Sequence, residues 1–304
     1  MWKKIGLIYC PKNERSWMNN SFMTPCPVNL DDKTIRIFGG IRDEGGISRI
    51  GFIDVCSSNP STIKYVHQEP ALEIGDIGCF DDNGVILGSV IFDGENWRMY
   101  YVGFQKVEKI KFYAFTGVAI SNNLKTFKRK YQTPILDRKD WMKFIGAIHT
   151  VIKEDDIYKV FYAAGNEWKE IDKKTYPSYS TYYTESLDGY NFDFKKNKQI
   201  VSNDDFFYRI GRPTVHCDNG KYNMFCTYDT INKNYGVKTF SSSDCIEWIE
   251  NKEFLNGFEK SSIGWDSEMV CYPNIIKTNI GKTYLFYNGN KMGQTGVGYC
   301  ELLS

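Results

Sequence analysis

The feature that most constrains the fold of this chain is a module of about sixty residues that recurs five times. Each module contains an apolar segment, a polar turn and a second segment that ends in aromatic residues or a remnant of them. One aromatic anchor per module recurs at intervals of 62, 61, 64 and 61 residues, and the five anchors are Phe38, Tyr100, Phe161, Phe225 and Phe286. Separate unrelated domains would not keep this spacing, so the chain is predicted to repeat one supersecondary unit.

Within each module the sequence patterns favour strands over helices. Alternating segments such as Gly117–Ile120 and Gly236–Phe240 are typical of strands, and no stretch sustains a long helical period. Similar polar turns recur at Ser121–Asn123, Ser186–Gly189 and Ser242–Asp244. Four strands per module, repeated radially, describe an all-β fold: a five-bladed β-propeller with about four antiparallel strands per blade. We expect a single domain over residues 1–304.

The two ends of the chain complement each other in their number of predicted strands. The fifth module runs out of sequence before a fourth strand, whereas the strand candidate Lys4–Tyr9 precedes the first module. We therefore expect the N-terminal strand to close blade five from outside, which leaves no open sheet edge where the ends meet. The longest insertions, at 104–112, 166–178 and 250–266, are predicted to be loops that shape the site.

Composition narrows the class of partner. With 38 basic and 37 acidic residues the net charge is +1, which gives no global bias towards nucleic acid or anionic membrane and fits small molecules or neutral polymers. Nine cysteines without a CxxC pair and three histidines predict neither a metal site nor a cofactor. The N-terminus lacks a signal peptide pattern and no apolar run approaches the roughly 20 residues of a membrane span. We expect free thiols and a cytoplasmic location. The sequence gives no firm indication of oligomeric state.

Candidate site residues follow from the repeat, because residues that enter the innermost strands stand at one mouth of the central channel. By blade, they are the Met18–Thr24 approach in blade one, Asp81 and Asp82 in blade two, His149 in blade three, Arg212 in blade four, and Asp266, Glu268 and Tyr272 in blade five. A second, arginine-rich group with Arg42, Asp43 and Arg49 joins two strands of blade one. Trp168 is one of the aromatic residues that are expected near the mouth, where sugar rings stack on aromatic side chains. Arg212 offers a planar bidentate donor that suits a sugar hydroxyl, a carboxylate or a phosphate.

Carboxylates near such a mouth point to cleavage of glycosidic bonds, which needs one protonated acid and one carboxylate. Glu268 and Asp82 are the acid/base candidates, with Asp43 in support. Structural roles remain open for several candidates. Asp81 suits a turn, Asp43 suits an ion pair with the neighbouring arginines, and His149 suits the interior. The sequence contains no Gly-x-Ser-x-Gly elbow and no phosphate-cradling glycine loop.

Several motifs together resemble a known group. They are Arg42–Asp43 with Ser48–Gly51, Gly78–Gly84, Glu185–Gly189, Gly211–Pro213, Trp265–Pro273, and Phe286–Asn290 with Thr295–Gly298, where Asn288 is a further substrate-binding candidate. This set resembles the five-bladed propeller superfamily of glycoside hydrolase families 32, 43, 62, 68 and 130. It is most similar to the glycosidase-like propellers encoded among bacterial surface-polysaccharide genes. The resemblance implies an enzyme that acts on a glycosidic bond of a surface-polysaccharide sugar or its precursor.

The sequence departs from that group at the catalytic acids. Family 32 begins blade one with a Trp-Met-Asn-Asp-Pro run, whereas here Trp17–Ser21 places Asn20 where the aspartate would stand. Asparagine cannot act as a nucleophile or base at neutral pH. The blade-three aspartate of that group has no clear match in this sequence either, and His149 stands nearest to its position. Three hypotheses therefore remain: a glycosidase with rearranged carboxylates, a phosphorylase or glycosyltransferase, and a non-catalytic sugar-binding propeller. In the second, Arg42, Arg49 and Arg212 would hold phosphate or a nucleotide-sugar.

Overall fold

The computed structural model describes residues 1–303 and is almost entirely β-structure. Its strands form five antiparallel groups. Group one contains β2 (Asn20–Asp31), β3 (Thr34–Arg42), β4 (Ser48–Cys56) and β5 (Asn59–Val66). Group two contains β6 (Val85–Phe92), β7 (Trp97–Gln105), β8 (Tyr113–Ser121) and β9 (Lys128–Arg129). Group three contains β10 (Ile145–Glu154), β11 (Ile157–Ile171), β12 (Lys174–Ser186) and β13 (Asp193–Val201).

The fourth and fifth groups complete the chain. Group four contains β14 (Arg209–Asp218), β15 (Lys221–Asp229), β16 (Gly236–Ser242) and β17 (Ile249–Glu250). Group five contains β18 (Cys271–Lys277), β19 (Thr283–Asn288), β20 (Val297–Leu302) and the N-terminal strand β1 (Trp2–Tyr9), which pairs antiparallel with β20. The prediction that the N-terminal strand completes the last group is therefore confirmed. Short parallel pairings, β8 with β10 and β12 with β14, join groups two, three and four into one sheet.

The five groups contact one another in cyclic order. Each of the first strands β2, β6, β10 and β14 contacts the first strand of the next group, and β18 contacts β2. Five hydrophobic clusters lie between consecutive groups, including one between groups five and one. The five aromatic anchors all belong to second strands and are at most 1% exposed, and they are Phe38, Tyr100, Phe161, Phe225 and Phe286. The module spacing in the sequence therefore reflects a repeated core position.

One expected loop is instead regular structure. Residues 166–178 continue strands β11 and β12 as a long hairpin, because Glu167 pairs with Ser178 and the ladder runs to Ile171 opposite Lys174. The insertion at 250–266 contains a 3₁₀ turn at Lys252–Leu255. The other helical segment is a single turn at Asn290–Gly293.

All nine cysteines are free thiols. Among residues 1–303, no helix combines the length and the apolar character that crossing a bilayer would take.

Candidate functional site

A β-bulge interrupts the pairing of every first strand with its second strand. The bulges fall at intervals of 64, 61, 63 and 60 residues, at Thr24, Gly88, His149, Arg212 and Tyr272. A bulge leaves an extra residue on one strand and re-aims its side chain, and such bulges are common beside active sites. The module that sets the aromatic anchors therefore also presents one re-aimed residue from each group.

Three of these bulge residues have a left-handed backbone. Thr24, Arg212 and Tyr272 have φ values of 56°, 51° and 54°, and each directly precedes a proline. A non-glycine residue in this region costs about 1–3 kcal/mol and persists only where its surroundings hold it. At Thr24 that support comes from Asn288, whose Oδ1 accepts a hydrogen bond from the Thr24 backbone N–H at 2.7 Å. The Asn288 amide also donates to two backbone carbonyls, so this predicted binding residue is buried and supports the strained turn.

The bulge residues of four groups line one cavity of about 480 Å³. That volume is typical of a small-molecule site. Side chains from all five groups contribute to the lining, including Thr24 and Arg42 from group one, Ile86 and Phe104 from group two, His149 and Tyr179 from group three, Arg209 and Arg212 from group four, and Tyr272 from group five. The cavity therefore lies where the five first strands meet, which is the place that the module spacing predicts for a site.

The charged side chains that line this cavity are all basic. Arg42, Lys106, Lys111, Arg209 and Arg212 contribute cations, and no aspartate or glutamate of the described residues 1–303 belongs to the lining. The whole chain is nearly neutral, so this positive charge is a local property of the cavity. A recess walled by one sign of charge concentrates counter-ions, which here are anions.

Arg212 and His149 form a hydrogen-bonded pair at the bulges. Arg212 Nη1 lies 2.9 Å from His149 Nδ1, and Arg212 Nη2 donates to the Leu87 carbonyl at 2.9 Å. Burial, together with the Arg212 charge, lowers the pKa of His149 well below 6.5, so the imidazole is neutral and accepts the arginine N–H. Burial also lowers the pKa of Arg212 to about 10, which leaves it charged at neutral pH. Both partners of the guanidinium are neutral.

Arg209 belongs to a different kind of cluster. Its Nη2 lies 2.7 Å from Asp229 Oδ2, and the same oxygen accepts from Lys233 Nζ at 2.6 Å and from the Tyr208 hydroxyl. Burial raises the pKa of Asp229, but the hydrogen bonds from Lys233 and Tyr208 and the Arg209 charge lower it overall. Asp229 is therefore ionised, and it holds the lining residue Arg209 in place from outside the cavity lining.

Three of the predicted acids, Asp81, Asp266 and Asp43, are engaged in ion pairs. Asp81 is buried against Arg129 at 2.8 Å, and it also accepts from the Tyr101 hydroxyl at 3.0 Å. Asp266 is buried against Lys4 of the N-terminal strand and the Tyr287 hydroxyl. Both carboxylates therefore support the packing of their groups, and neither lines the cavity.

Asp43 forms the ion pair that the sequence left open. Its Oδ2 lies 2.8 Å from Arg49 Nη1, and its Oδ1 accepts the Ile47 backbone N–H. Arg49 also pairs with Glu73. Neither Asp43 nor Arg49 lines the cavity, whereas the neighbouring Arg42 does.

The remaining acid/base candidates, Asp82 and Glu268, do not line the cavity. Asp82 precedes the lining residue Asn83, and its Oδ2 accepts the Gly78 backbone N–H at 3.0 Å. Glu268 is exposed, and its backbone N–H donates to Asn290 Oδ1 at 2.8 Å. The structure thus brings together Arg42, His149, Arg212 and Tyr272 from the predicted set, while the acids Asp82 and Glu268 stand outside the lining.

The extended hairpin of β11 and β12 forms one side of the cavity. Its residue Tyr176 lines the cavity, with Lys233 Nζ 3.7 Å and Lys111 Nζ 4.9 Å from the centre of its ring. Trp168 on the opposite strand packs edge-on against Phe112, another lining residue. The predicted aromatic Trp168 therefore backs the wall and does not line it.

Sequence reasoning missed several lining residues that carry charge or a polar group. They are Lys106, Lys111, Thr175, Tyr176, Tyr179, Arg209 and Tyr235. Tyr235 donates or accepts a hydrogen bond with the Tyr272 hydroxyl at 2.9 Å. Thr24, in contrast, ends the Met18–Thr24 approach that the repeat indicated, and like Arg212 and Tyr272 it precedes a proline.

Comparison with solved structures identifies the class of fold. The chain superposes on a glycoside hydrolase with a TM-score of 0.72 at 17% identity, covering 98% of this chain and 90% of the other. The catalytic domain of the GH62 α-L-arabinofuranosidase of Coprinopsis cinerea gives 0.66 at 10% identity, covering 99% and 96%. Sucrose-6-phosphate hydrolase of Lactobacillus gasseri gives 0.63 at 13% identity, covering 97% and 60%. The chain therefore has the fold of these glycoside hydrolases, as the motifs predicted.

Sequence comparison adds relatives of the same length. The chain is 28% identical over 305 residues to the uncharacterized protein Rv1502 of Mycobacterium tuberculosis strain H37Rv, with 99% of each chain covered. The uncharacterized protein MT1551 of strain CDC 1551 matches to the same extent. No family model matches the sequence.

Proposed function

We propose that this chain is a carbohydrate-active enzyme that acts on a glycosidic bond, with the central cavity as its sugar site. We interpret the five strand groups, which contact one another in cyclic order, as the five blades of a propeller. The observation that carries the proposal is the cavity itself. It is lined from all five groups in a chain that shares its fold with glycoside hydrolases over nearly its whole length.

The lining suits a sugar in its chemistry as well as in its size. Tyr176, Tyr179, Tyr235 and Tyr272 bring aromatic rings with hydroxyl groups to the wall, and the arginines add planar donors. A small-molecule site typically combines apolar and aromatic surface with a few fixed polar groups. Sugar rings offer both an apolar face and several hydroxyl groups, so they match this wall.

Hydrolysis by the two-carboxylate mechanism requires acids that reach the glycosidic bond. We assign this role to Glu268 and Asp82, which would act from outside the cavity lining, and we keep Asp43 as a residue that supports Arg49. In this arrangement the sugar occupies the cavity and the bond to be cleaved lies at its rim. The substrate that we infer from the motifs is a sugar of a bacterial surface polysaccharide or its precursor.

A second candidate is transfer to phosphate or from a nucleotide-sugar. The observation in its favour is that Arg42, Arg212 and two lysines line the cavity without any carboxylate among its described lining residues. Arginine is the residue of choice for recognising phosphate oxygens. A third candidate is sugar binding without turnover, which Asn20 favours because it stands where an aspartate is expected.

The test is turnover of bacterial polysaccharide fragments by the protein and its variants, followed by chromatography of the products with and without phosphate or a nucleotide-sugar. Positioned acid/base groups contribute roughly 10²–10⁴-fold, so Glu268→Gln and Asp82→Asn should each lower kcat by at least about 100-fold with folding unchanged. Glu247→Gln is the matched control, because Glu247 is exposed on the outer turn before β17. Full turnover by both variants would exclude the carboxylate assignment. Turnover that depends on phosphate or a nucleotide-sugar would establish the second candidate, and sugar binding without any turnover the third.

A further inference from the structure

The cavity wall contains polar groups that lack the partners such groups normally require, and three of them, unlike Arg209, have no carboxylate partner within residues 1–303. The Arg42 Nε is buried and has no hydrogen-bond partner, and Arg42 forms no ion pair within residues 1–303. Its neighbour Arg49, in contrast, is engaged by both Asp43 and Glu73. A buried donor without a partner costs about 1–3 kcal/mol, and more when the group is charged. Such a group in the wall of a cavity marks the place of a missing acceptor.

Arg212 is the second of these groups. Its two recorded partners are the neutral His149 imidazole and the Leu87 carbonyl, and no carboxylate of the described chain lies in ion-pair distance. Its backbone is held in the left-handed region by the bulge. The fold therefore maintains both a strained residue and an uncompensated cation at the same position of the cavity wall.

Thr24, on β2 of group one, provides the third of these polar groups. It is 2% exposed, and its Oγ1 has no hydrogen-bond partner. Asn288 fixes the left-handed backbone that points this residue into the cavity lining. A hydroxyl placed in this way donates one hydrogen bond to a ligand oxygen.

We propose that Arg42, Arg212 and Thr24 form a subsite for an oxyanion that the sugar itself carries, either a carboxylate or a phosphate group. The inference rests on the proposed function, since it takes the ligand to be a sugar and then names its class as acidic. Two guanidinium groups and a hydroxyl match the several acceptor oxygens of such a group. Lys106 and Lys111, which also line the cavity, add to its positive field. A neutral sugar would leave both arginines uncompensated.

The experiment is calorimetric titration of the purified protein with matched ligands at low salt. The panel contains neutral hexoses, the uronic acid and the 6-phosphate of each hexose, and inorganic phosphate. We expect at least one acidic sugar to bind about tenfold or more tightly than its neutral parent, with the difference shrinking as salt is raised. Arg42→Gln should remove most of that difference, and Thr24→Val should reduce it several-fold; both members of each ligand pair are titrated into every variant, because the difference between the two affinities reports the subsite.

Control variants and outcomes separate the subsite from the proposed function. Arg15→Gln removes an exposed arginine outside the cavity lining and should leave all affinities unchanged. If no acidic sugar binds more tightly than its neutral parent, or if Arg42→Gln binds like the unmodified protein, the oxyanion subsite is wrong although the sugar site stands. If inorganic phosphate binds as tightly as any sugar phosphate, the anion is not carried by the sugar. If no sugar binds in any form, the proposed function fails as well.

Discussion

Two arginines of this protein, Arg36 in the core and Arg212 at the cavity, show how differently one side chain is used in two regions of the fold. Arg36 on β3 donates from Nε and Nη2 to the two oxygens of Asp54 at 2.7 Å each, and from Nη1 to the Leu124 carbonyl at 2.9 Å. Its guanidinium lies 3.7 Å from the centre of the Phe52 ring. Arg212 at the cavity has an imidazole and one carbonyl as its partners.

The comparison separates structural from functional charge. Arg36 has a carboxylate that neutralises it and a geometry that is bidentate, so its charge is compensated within the folded chain. The charge of Arg212 is not compensated, and its desolvation is visible in the lowered pKa of about 10. A fold that needed only packing at this position would gain by replacing the arginine. We therefore interpret the Arg36 pair as part of the architecture and Arg212 as part of the site.

The largest expected effect concerns the compensated pair. Arg36→Ala leaves Asp54 buried without its partner, and breaking a buried pair in this way costs about 3–5 kcal/mol. We expect the free energy of unfolding to fall by that amount in urea titrations followed by circular dichroism. Arg15→Ala, on the exposed surface, serves as the control. A loss below about 1 kcal/mol would mean that the pair contributes little and that the contrast with Arg212 is not one of compensation.

A smaller effect is expected from the neutral partner of Arg212. The pKa of His149 is well below 6.5 in the folded protein, because the ring is buried and lies beside the arginine charge. The unfolded chain therefore binds a proton near pH 6.5 that the folded chain does not bind, so stability falls as the pH falls through this range. One such group removes about 1.4 kcal/mol between pH 7.5 and pH 5.5.

The variant His149→Gln isolates this contribution, because glutamine keeps an acceptor for Arg212 and does not titrate. The other two histidines, His67 and His216, also have lowered pKa values, chiefly through burial, and they remain in the variant. We expect the difference in unfolding free energy between pH 7.5 and pH 5.5 to be about 1.4 kcal/mol smaller in His149→Gln. Equal pH dependence in both proteins would show that folding leaves the pKa of His149 near its ordinary value.

Much of the architecture could be predicted because the residues that define the repeat are buried. Phe38 and its four equivalents occupy the same core position in second strands, and burial restricts such positions to a few residue types. The role of Lys4–Tyr9 followed from counting strands, since the fifth group was one strand short. The hairpin at 166–178 was misread as a loop because its exposed, polar residues carry no burial pattern.

The pairing of charges could not be predicted, because it depends on residues far apart in the sequence. Asp266 is neutralised by Lys4 from the other end of the chain, and Asp81 by Arg129. The sequence shows where these acids stand in the repeated modules but not which cations reach them. Arg42 and Arg49 illustrate the same limit, since only one of these two similar arginines is left without a carboxylate.

The smallest expected effect on stability is also the sharpest test of the comparison. Replacing a buried ionic group by an apolar side chain of similar volume is often neutral or stabilising. Arg212→Met removes an uncompensated charge but leaves His149 and the Leu87 carbonyl without a donor, and the strained backbone is unchanged. We therefore expect the free energy of unfolding to change by no more than about 1 kcal/mol in either direction, while binding of acidic sugars is lost. A loss of several kcal/mol in the same urea titrations, comparable with Arg36→Ala, would place Arg212 with the structural charges.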